Sequence, residues 1–255
     1  MVAVDLTAGL GVLSWILGWS YFFAWSASFW PQCYVNWKRK SVEGLSFEYL
    51  WLNLTGHCCY LFYNFTLYFN ILGAKTQYLS HYHVDVIPVH ANDVAFSVHA
   101  VIFCALTIYQ TFIYHRGIQK MSWYGIGGVI LLWVSVGIAG ILTVSKFISL
   151  LMLLNWCGIV KIIVTLSKYA PQVVQNWYRS STIGFSIVAI MFDLAGGILS
   201  LGQQGVDCVI ALSISPFLGD TTKLGLAVFT IFFDLIFLFQ HYVLYRNRED
   251  PALVL

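Results

Sequence analysis

Apolar residues run along this chain in long blocks broken by short polar stretches, without the period-two alternation of a membrane barrel. Seven blocks, near 12–35, 46–70, 92–114, 122–144, 148–169, 184–204 and 223–244, each reach the length of a helix across a bilayer. A hydrocarbon core about 30 Å thick takes about 20 helical residues. The pattern predicts an all-α integral membrane protein of seven transmembrane helices, forming a single membrane domain over 1–255. The longer interruptions, about 71–91 and 205–222, read as loops, and 245–255 reads as a tail.

Two of the blocks end alike. Pro31-Gln32 and Pro171-Gln172 lie 140 residues apart, and the residues after them repeat in register. The first copy reads PQCYVNWKRKSVEGLSFEYLWLNLTGHCCYL and the second PQVVQNWYRSSTIGFSIVAIMFDLAGGILSL. Asn36/Asn176, Trp37/Trp177, Arg39/Arg179, Ser41/Ser181, Gly44/Gly184, Ser46/Ser186, Leu54/Leu194, Gly56/Gly196 and Leu61/Leu201 recur without a gap, whereas Asn53 stands opposite Asp193. Such a duplication in a membrane chain points to a transporter built from two three-helix units, 12–114 and 148–244. Cytoplasmic loops accumulate Lys and Arg. Lys38, Arg39, Lys40, Arg116, Lys120, Arg179, Arg246 and Arg248 fall on one side, against Lys75, Lys146 and Lys223 on the other, so the N-terminus is expected outside or lumenal and the C-terminus cytosolic. The units then run parallel, with 122–144 as the connector helix that restores their sense, the arrangement of SWEET-type carriers.

Composition agrees and narrows the field. Hydrophobic residues make up 59% and charged residues 9%, against about 25% charged in soluble proteins. A net charge of +2, with its basic residues along one rim, gives no reason to expect nucleic acid as a partner; the lipid bilayer is the expected surroundings. The six cysteines form no CxxC, and His81, His83 and His90 read as a solvent-facing loop, so neither a metal nor another cofactor is expected beyond protons as coupling ion. HExxH, GxSxG and a phosphate loop are missing, which argues against an enzyme. The first block lacks a small-residue cleavage site and should stay as a helix.

Chemistry concentrates in a few positions. A proline removes one backbone hydrogen bond and blocks helix continuation, so Pro31 and Pro171, each followed by Gln32 or Gln172, read as paired hinges for alternating access. Ionisable groups inside a span are costly unless they face a cavity or a partner, and Asp93, Lys161, Lys168, Asp193 and Asp234 qualify. Asp193 lies mid-span in FDLAGG, where small neighbours allow close approach, and Asp93 reads either as a helix cap or as a functional acid. Lys168, Gln172 and Asn176 recur every four residues, which sets an amine and two amides on one helix face. Tyr21 and Trp25, also four apart, are candidate wall residues. A carboxylate desolvated by apolar neighbours binds a proton more readily than one in water, the physical basis of proton coupling. Lysines beside acids suit a zwitterion better than a sugar.

These segments, together with NDVAFSVHA, KYAPQVVQNW, GDTTKLGL and FDLIFLFQH, resemble the cystinosin family, the proton-coupled cystine exporters among the PQ-loop proteins, over about 14–248. The resemblance implies two three-helix bundles and export of cystine with protons from an acidic lysosomal or vacuolar lumen to the cytosol. It implies Asp93, Asp193 and Asp234 as the acids of transport, with Asp193 at the substrate and Asp93 carrying the proton. Asn53, Lys161, Lys168, Gln172 and Asn176 would face the central cavity, Tyr21 and Trp25 its wall, and Lys223 would act from the lumenal side. Ala189 departs from the polar side chain of animal members, and a glycosylated leader and Tyr-based sorting tail are missing, which favours a plant or other non-animal member. Glu249 ahead of Leu253-Val254 is a poor dileucine signal. Two alternatives stand beside this reading: a PQ-loop exporter of cationic amino acids, and a seven-helix receptor or cargo-sorting protein.

Overall fold

A computed structural model describes residues 2–84 and 86–246; Arg248, Glu249 and Leu253-Val254 lie outside the described residues. The elements are α1 (Val2–Arg39), α2 (Phe47–Tyr68), α3 (Ala74–Tyr82), α4 (Ala91–Ile113), α5 (Trp123–Val144), α6 (Leu150–Arg179), α7 (Ile187–Ala211), α8 (Ser215–Gly219) and α9 (Thr221–Phe239), which runs on as a π turn over Gln240–Leu244. Six of them, α1, α4, α5, α6, α7 and α9 with its π turn, are long and apolar enough to cross a membrane. Helix α2 matches them in length, with 22 residues, but buries Asn53, Thr55, His57, Asn64 and Thr66.

Serine starts many of these helices. Ser46, Ser122, Ser149 and Ser186 each accept the backbone N–H three residues on, satisfying a donor that the first turn leaves open. Two of the four, Ser46 and Ser186, are repeat mates. Each lies two residues after a glycine at positive φ, Gly44 at 100° and Gly184 at 92°, a backbone that side-chain-bearing residues resist.

Helix α4 packs on α1 and α2, α9 packs on α6 and α7, and the two groups meet along α1–α7 and α2–α6. One core runs between α2 and α6, with Leu52, Cys59, Leu154, Val160 and Val164; an aromatic cluster of Tyr21, Trp25, Tyr60 and Phe96 lies nearer α1 and α4. Helix α5 leans on α6 and α2 and buries none of its residues. An apolar surface of this kind suits lipid contact. At one end of the molecule, the basic end, the termini of α1 and α6 gather with the α4–α5 loop, where Val42 N donates to His115 O at 2.8 Å. At the other, histidine end, α3 and α8 touch through Tyr78 Oη donating to Gly219 O at 2.9 Å.

The structure departs from three expectations. Pro31 and Pro171 do not stop their helices, which continue to Arg39 and Arg179. One lost hydrogen bond per helix is a small cost against the packing of the long helices around it; two residues past each proline, Gln110 and Gln240 donate to Cys33 O and Val173 O at 3.0 and 3.1 Å. The segment 71–91 is not a plain loop but holds α3, stabilised by burial of Ala74 and Tyr78. The segment 205–222 holds the last turns of α7 and the short α8.

Candidate functional site

At the basic end the two repeats exchange hydrogen bonds. Gln32 Nε2 donates to Gly184 O at 3.3 Å, and its Oε1 accepts from Ser186 N at 3.1 Å. Reciprocally, Gln172 Nε2 donates to Gly44 O at 3.4 Å and its Oε1 accepts from Ser46 N at 3.3 Å. Each amide also reaches the asparagine one turn on, Asn36 at 3.0 Å and Asn176 at 2.9 Å. Those asparagines donate to Gln110 and Gln240 at 2.8 and 3.1 Å. Arg39 and Arg179 close the pattern by donating to the carbonyls of Glu43 and Ile183. Gly44 and Gly184 meet between the halves: a Cβ on either would lie 3.2–3.3 Å from the other's Cα.

Between the repeats lies a central cavity lined by Trp25, Gln32, Tyr49, Asn53, His57, Cys104, Lys161, Lys168, Tyr169, Ala189 and Asp193, among others. Lys168 Nζ donates to Asn53 Oδ1 at 3.0 Å and sits 4.4 Å from the Tyr169 ring centre. Lys161 is fully buried, with Nζ 3.5 Å from the ring nitrogens of His57. Asp193 accepts from Tyr169 Oη at 3.0 Å, and its backbone carbonyl accepts from Trp25 Nε1, also at 3.0 Å. Neither lysine is in salt-bridge contact with Asp193 among the described residues, which leaves two amines and one carboxylate facing a common space.

Towards the histidine end a second polar group closes the space between the repeats. Lys223 Nζ lies 3.1 Å from Asp93 Oδ1, with both side chains almost fully buried. The same amine donates to Gln203 Oε1 at 2.9 Å and lies over the Tyr21 ring, whose hydroxyl donates to Asp93. Asp93 Oδ2 also accepts from His90 N at 2.8 Å, so Asp93 closes the capping box of α4 while its other oxygen holds the buried ion pair. Above it opens a vestibule lined by Tyr78, Tyr82, His90, Gln204, Asp207, Asp220 and Lys223. Measured alike, the vestibule holds about 770 Å³ and the central cavity about 80 Å³, so the larger space lies at the histidine end. Asp220 caps α9 through Lys223 N at 2.9 Å. Burial, reinforced by the charge of Asp93 and opposed by Lys223, pushes its carboxyl up to about 6.

The expected site is thus divided. Trp25, Asn53, Lys161, Lys168 and Asp193 come together at the cavity. Gln172 and Asn176 do not line it: they are buried one and two turns past Lys168, where the basic-end exchange uses their hydrogen bonds. Tyr21 and Lys223 belong to the Asp93 cluster rather than to the cavity wall. Asp234 is fully buried outside the cavity lining, and neither carboxylate oxygen has a hydrogen-bond partner among the described residues. Ala189 does line the cavity. His57, Tyr49 and Tyr169 are not among the expected site residues; only the polar atoms they place in an apolar span point to them. Among the described residues no group of three or more His, Cys, Asp or Glu is set to hold a metal ion.

Comparison with known proteins agrees with this geometry. The PQ loop repeat family matches residues 13–73 and 153–203, the stretches that carry both Pro-Gln pairs. A cystinosin homolog of Dictyostelium discoideum is 43% identical over 96% of this chain and 86% of its own length. One of Arabidopsis thaliana is 41% identical over 92% and 86%. A more distant relative, named a cystine transporter in Saccharomyces cerevisiae, is 28% identical over 91% of this chain and 94% of its own. Identity at this level over nearly the whole length, joined to two Pro-Gln segments folded in the same way, makes the chain a member of the cystinosin family of PQ-loop proteins.

Proposed function

We propose that the chain is a proton-coupled cystine carrier that moves its substrate from the lysosomal or vacuolar lumen to the cytosol by alternating access. The observation that carries this reading is the central cavity, where Lys161, Lys168 and Asp193 face one space between two halves of the molecule. Cystine bears two carboxylates and two ammonium groups. Its carboxylates meet the lysine amines and the Asn53 amide, and an ammonium meets Asp193. The relatives named as cystine carriers support the substrate.

In this reading all seven long helices span the membrane, with the units 12–114 and 148–244 parallel, 122–144 as connector, the basic end in the cytosol and the N-terminus in the lumen. The vestibule then faces the lumen, and the Gln32 and Gln172 exchange closes the cytosolic side. Protonation of Asp93 removes the charge that holds Lys223, which loosens the barrier between vestibule and cavity. Asp234, buried without a hydrogen-bond partner among the described residues, is the second place for a proton. Movement about Pro31 and Pro171 opens the cytosolic side, where neutral pH takes the proton away.

The test is uptake of labelled cystine into proteoliposomes with and without an imposed pH gradient. Uptake should rise with the gradient, and Asp193→Ala should abolish it. Full transport by that variant removes Asp193 from the site. Stronger competition by lysine or arginine than by unlabelled cystine replaces the substrate with a cationic amino acid, a reading that the two cavity lysines disfavour.

A further inference from the structure

The histidine-end vestibule holds polar groups that neither the ion pair nor the fold uses. Both amide atoms of Gln204 and Oδ2 of Asp220 are buried without a hydrogen-bond partner among the described residues, in residues only 3% and 2% exposed that both line this space. The large majority of buried polar side-chain atoms in native proteins have a partner, and three orphans gathered beside one large concavity point to a partner supplied from it. The charge is also unbalanced. Asp207 and Asp220 share the vestibule, Lys223 is engaged by Asp93 and Gln203, and Asp207 accepts from the neutral Ser14 hydroxyl on one oxygen while His90 stands 3.9 Å from the other. Tyr78 and Tyr82, ring centres 4.6 Å apart, add aromatic surface to the wall. The volume, about 770 Å³, falls within the range of small-molecule sites.

We propose that the vestibule is a second binding site, outer to the central cavity, for a free α-amino acid: its ammonium at Asp207 and Asp220, its carboxylate at the Gln204 amide. An amine alone leaves the amide N–H unmet, and a carboxylic acid alone meets two carboxylates. A molecule that carries both groups satisfies the set. Under the carrier reading above, on which this inference rests, the site gathers cystine from the lumen before the Asp93–Lys223 barrier opens.

Equilibrium binding of labelled cystine to the purified full chain in nanodiscs at neutral pH tests it. The unaltered chain should bind two cystine molecules and the Asp193→Ala chain one. Adding Gln204→Leu or Asp207→Asn to Asp193→Ala should weaken the remaining event by about tenfold or more, the loss of one charge-assisted hydrogen bond. Gln204→Leu alone should keep the central event and melt no lower than the unaltered chain, because it deletes an unsatisfied buried group. One bound cystine per unaltered chain with intact uptake, or an outer event indifferent to Gln204→Leu, overturns the outer site and leaves the carrier reading standing. A folded unaltered chain that neither binds nor transports cystine overturns both.

Discussion

Replacing Gln172 by leucine should open the basic end. The amide holds two bonds across the repeat boundary, accepting from Ser46 N and donating to Gly44 O. Leucine keeps the bulk and removes both. In the closed arrangement Ser46 N then loses its side-chain partner within a buried residue, whereas in an open arrangement water reaches it. The closed state alone is penalised. At about 0.5–1.5 kcal/mol for each net hydrogen bond, the pair amounts to about 1–3 kcal/mol, which shifts a two-state equilibrium by about 5- to 150-fold. Cys104 is a native reporter, buried at 4% and lining the central cavity. With the other five cysteines replaced by serine or alanine, a membrane-impermeant thiosulfonate applied from the side of the basic loops should modify Cys104 faster in Gln172→Leu by that factor. Gln32→Leu should behave alike, because it breaks the mirror-image bonds. Unchanged modification in a chain that stays folded, or faster modification from the histidine end only, would refute the idea that these amides hold the closed state.

Three further outcomes rest on the same geometry. Asp93→Asn or Lys223→Met alone leaves an uncompensated group in a nearly fully buried pair and should cost about 3–5 kcal/mol of stability, while the double variant should recover most of it; additive losses in thermal unfolding show that the two are not coupled. Because the Asp220 carboxyl is pushed up to about 6 from an ordinary value near 3.8, the folded chain holds a proton that the unfolded chain has already released. Stability should therefore fall as pH rises through that window and level off above it; Asp220→Asn keeps the cap acceptor and should remove this part of the slope, so a matching slope in both chains excludes Asp220 as its source. At Gly196 a Cβ would sit 2.3 Å from Trp25 Cδ1, so Gly196→Ala should displace the indole from its bond to Asp193 O and cost about 1–3 kcal/mol by overpacking, with lost cystine uptake; unchanged Trp fluorescence and uptake would show that the ring is not held there.

Features legible in the sequence are those with a local physical cause. Apolar blocks located α2, α4 and α5 to within a residue or two, because an unbroken apolar run bounded by polar residues is itself the signal for one long helix. Helices α1 and α6 run farther than expected, since a proline costs a helix only one bond of many and both helices are held by packing on either side of it. The register of the repeat named Gln32, Asn36, Gln172 and Asn176, but not that each glutamine serves the opposite half. That is a fact of three dimensions. Spacing put Lys168, Gln172 and Asn176 on one face correctly, yet successive turns of that face meet a cavity, a loop and Gln240. Gln110 and Gln240 escaped because the third helices correspond at a different offset, where a gapless comparison has already ended. His57 escaped because a lone histidine in a span reads as packing until Lys161 is seen against it.

That second offset exposes why the two ends are built differently. Gln110 aligns with Gln240 at a separation of 130, and at the same separation Asp93 aligns with Lys223, the residues that pair across the halves. Around a pseudo-two-fold axis a residue off the axis meets a different residue of the other half, reciprocally, and one on the axis meets its own equivalent, as Asp93 meets Lys223. An amide is donor and acceptor at once, so identical glutamines can each close on the other half, and the basic end keeps its glutamines, glycines and serines alike. A charge cannot pair with its own copy. Two aspartates or two lysines there would repel in a buried space, so an ionic closure between equivalent positions requires the copies to differ. The same divergence marks the cavity, where Lys161, Lys168 and Asp193 stand at the positions that Tyr21, Ser28 and Asn53 hold in the first repeat. A doubled chain that kept full symmetry would present two equal walls; here one repeat brings both lysines and the aspartate to the cavity, and the other brings the neutral amide of Asn53.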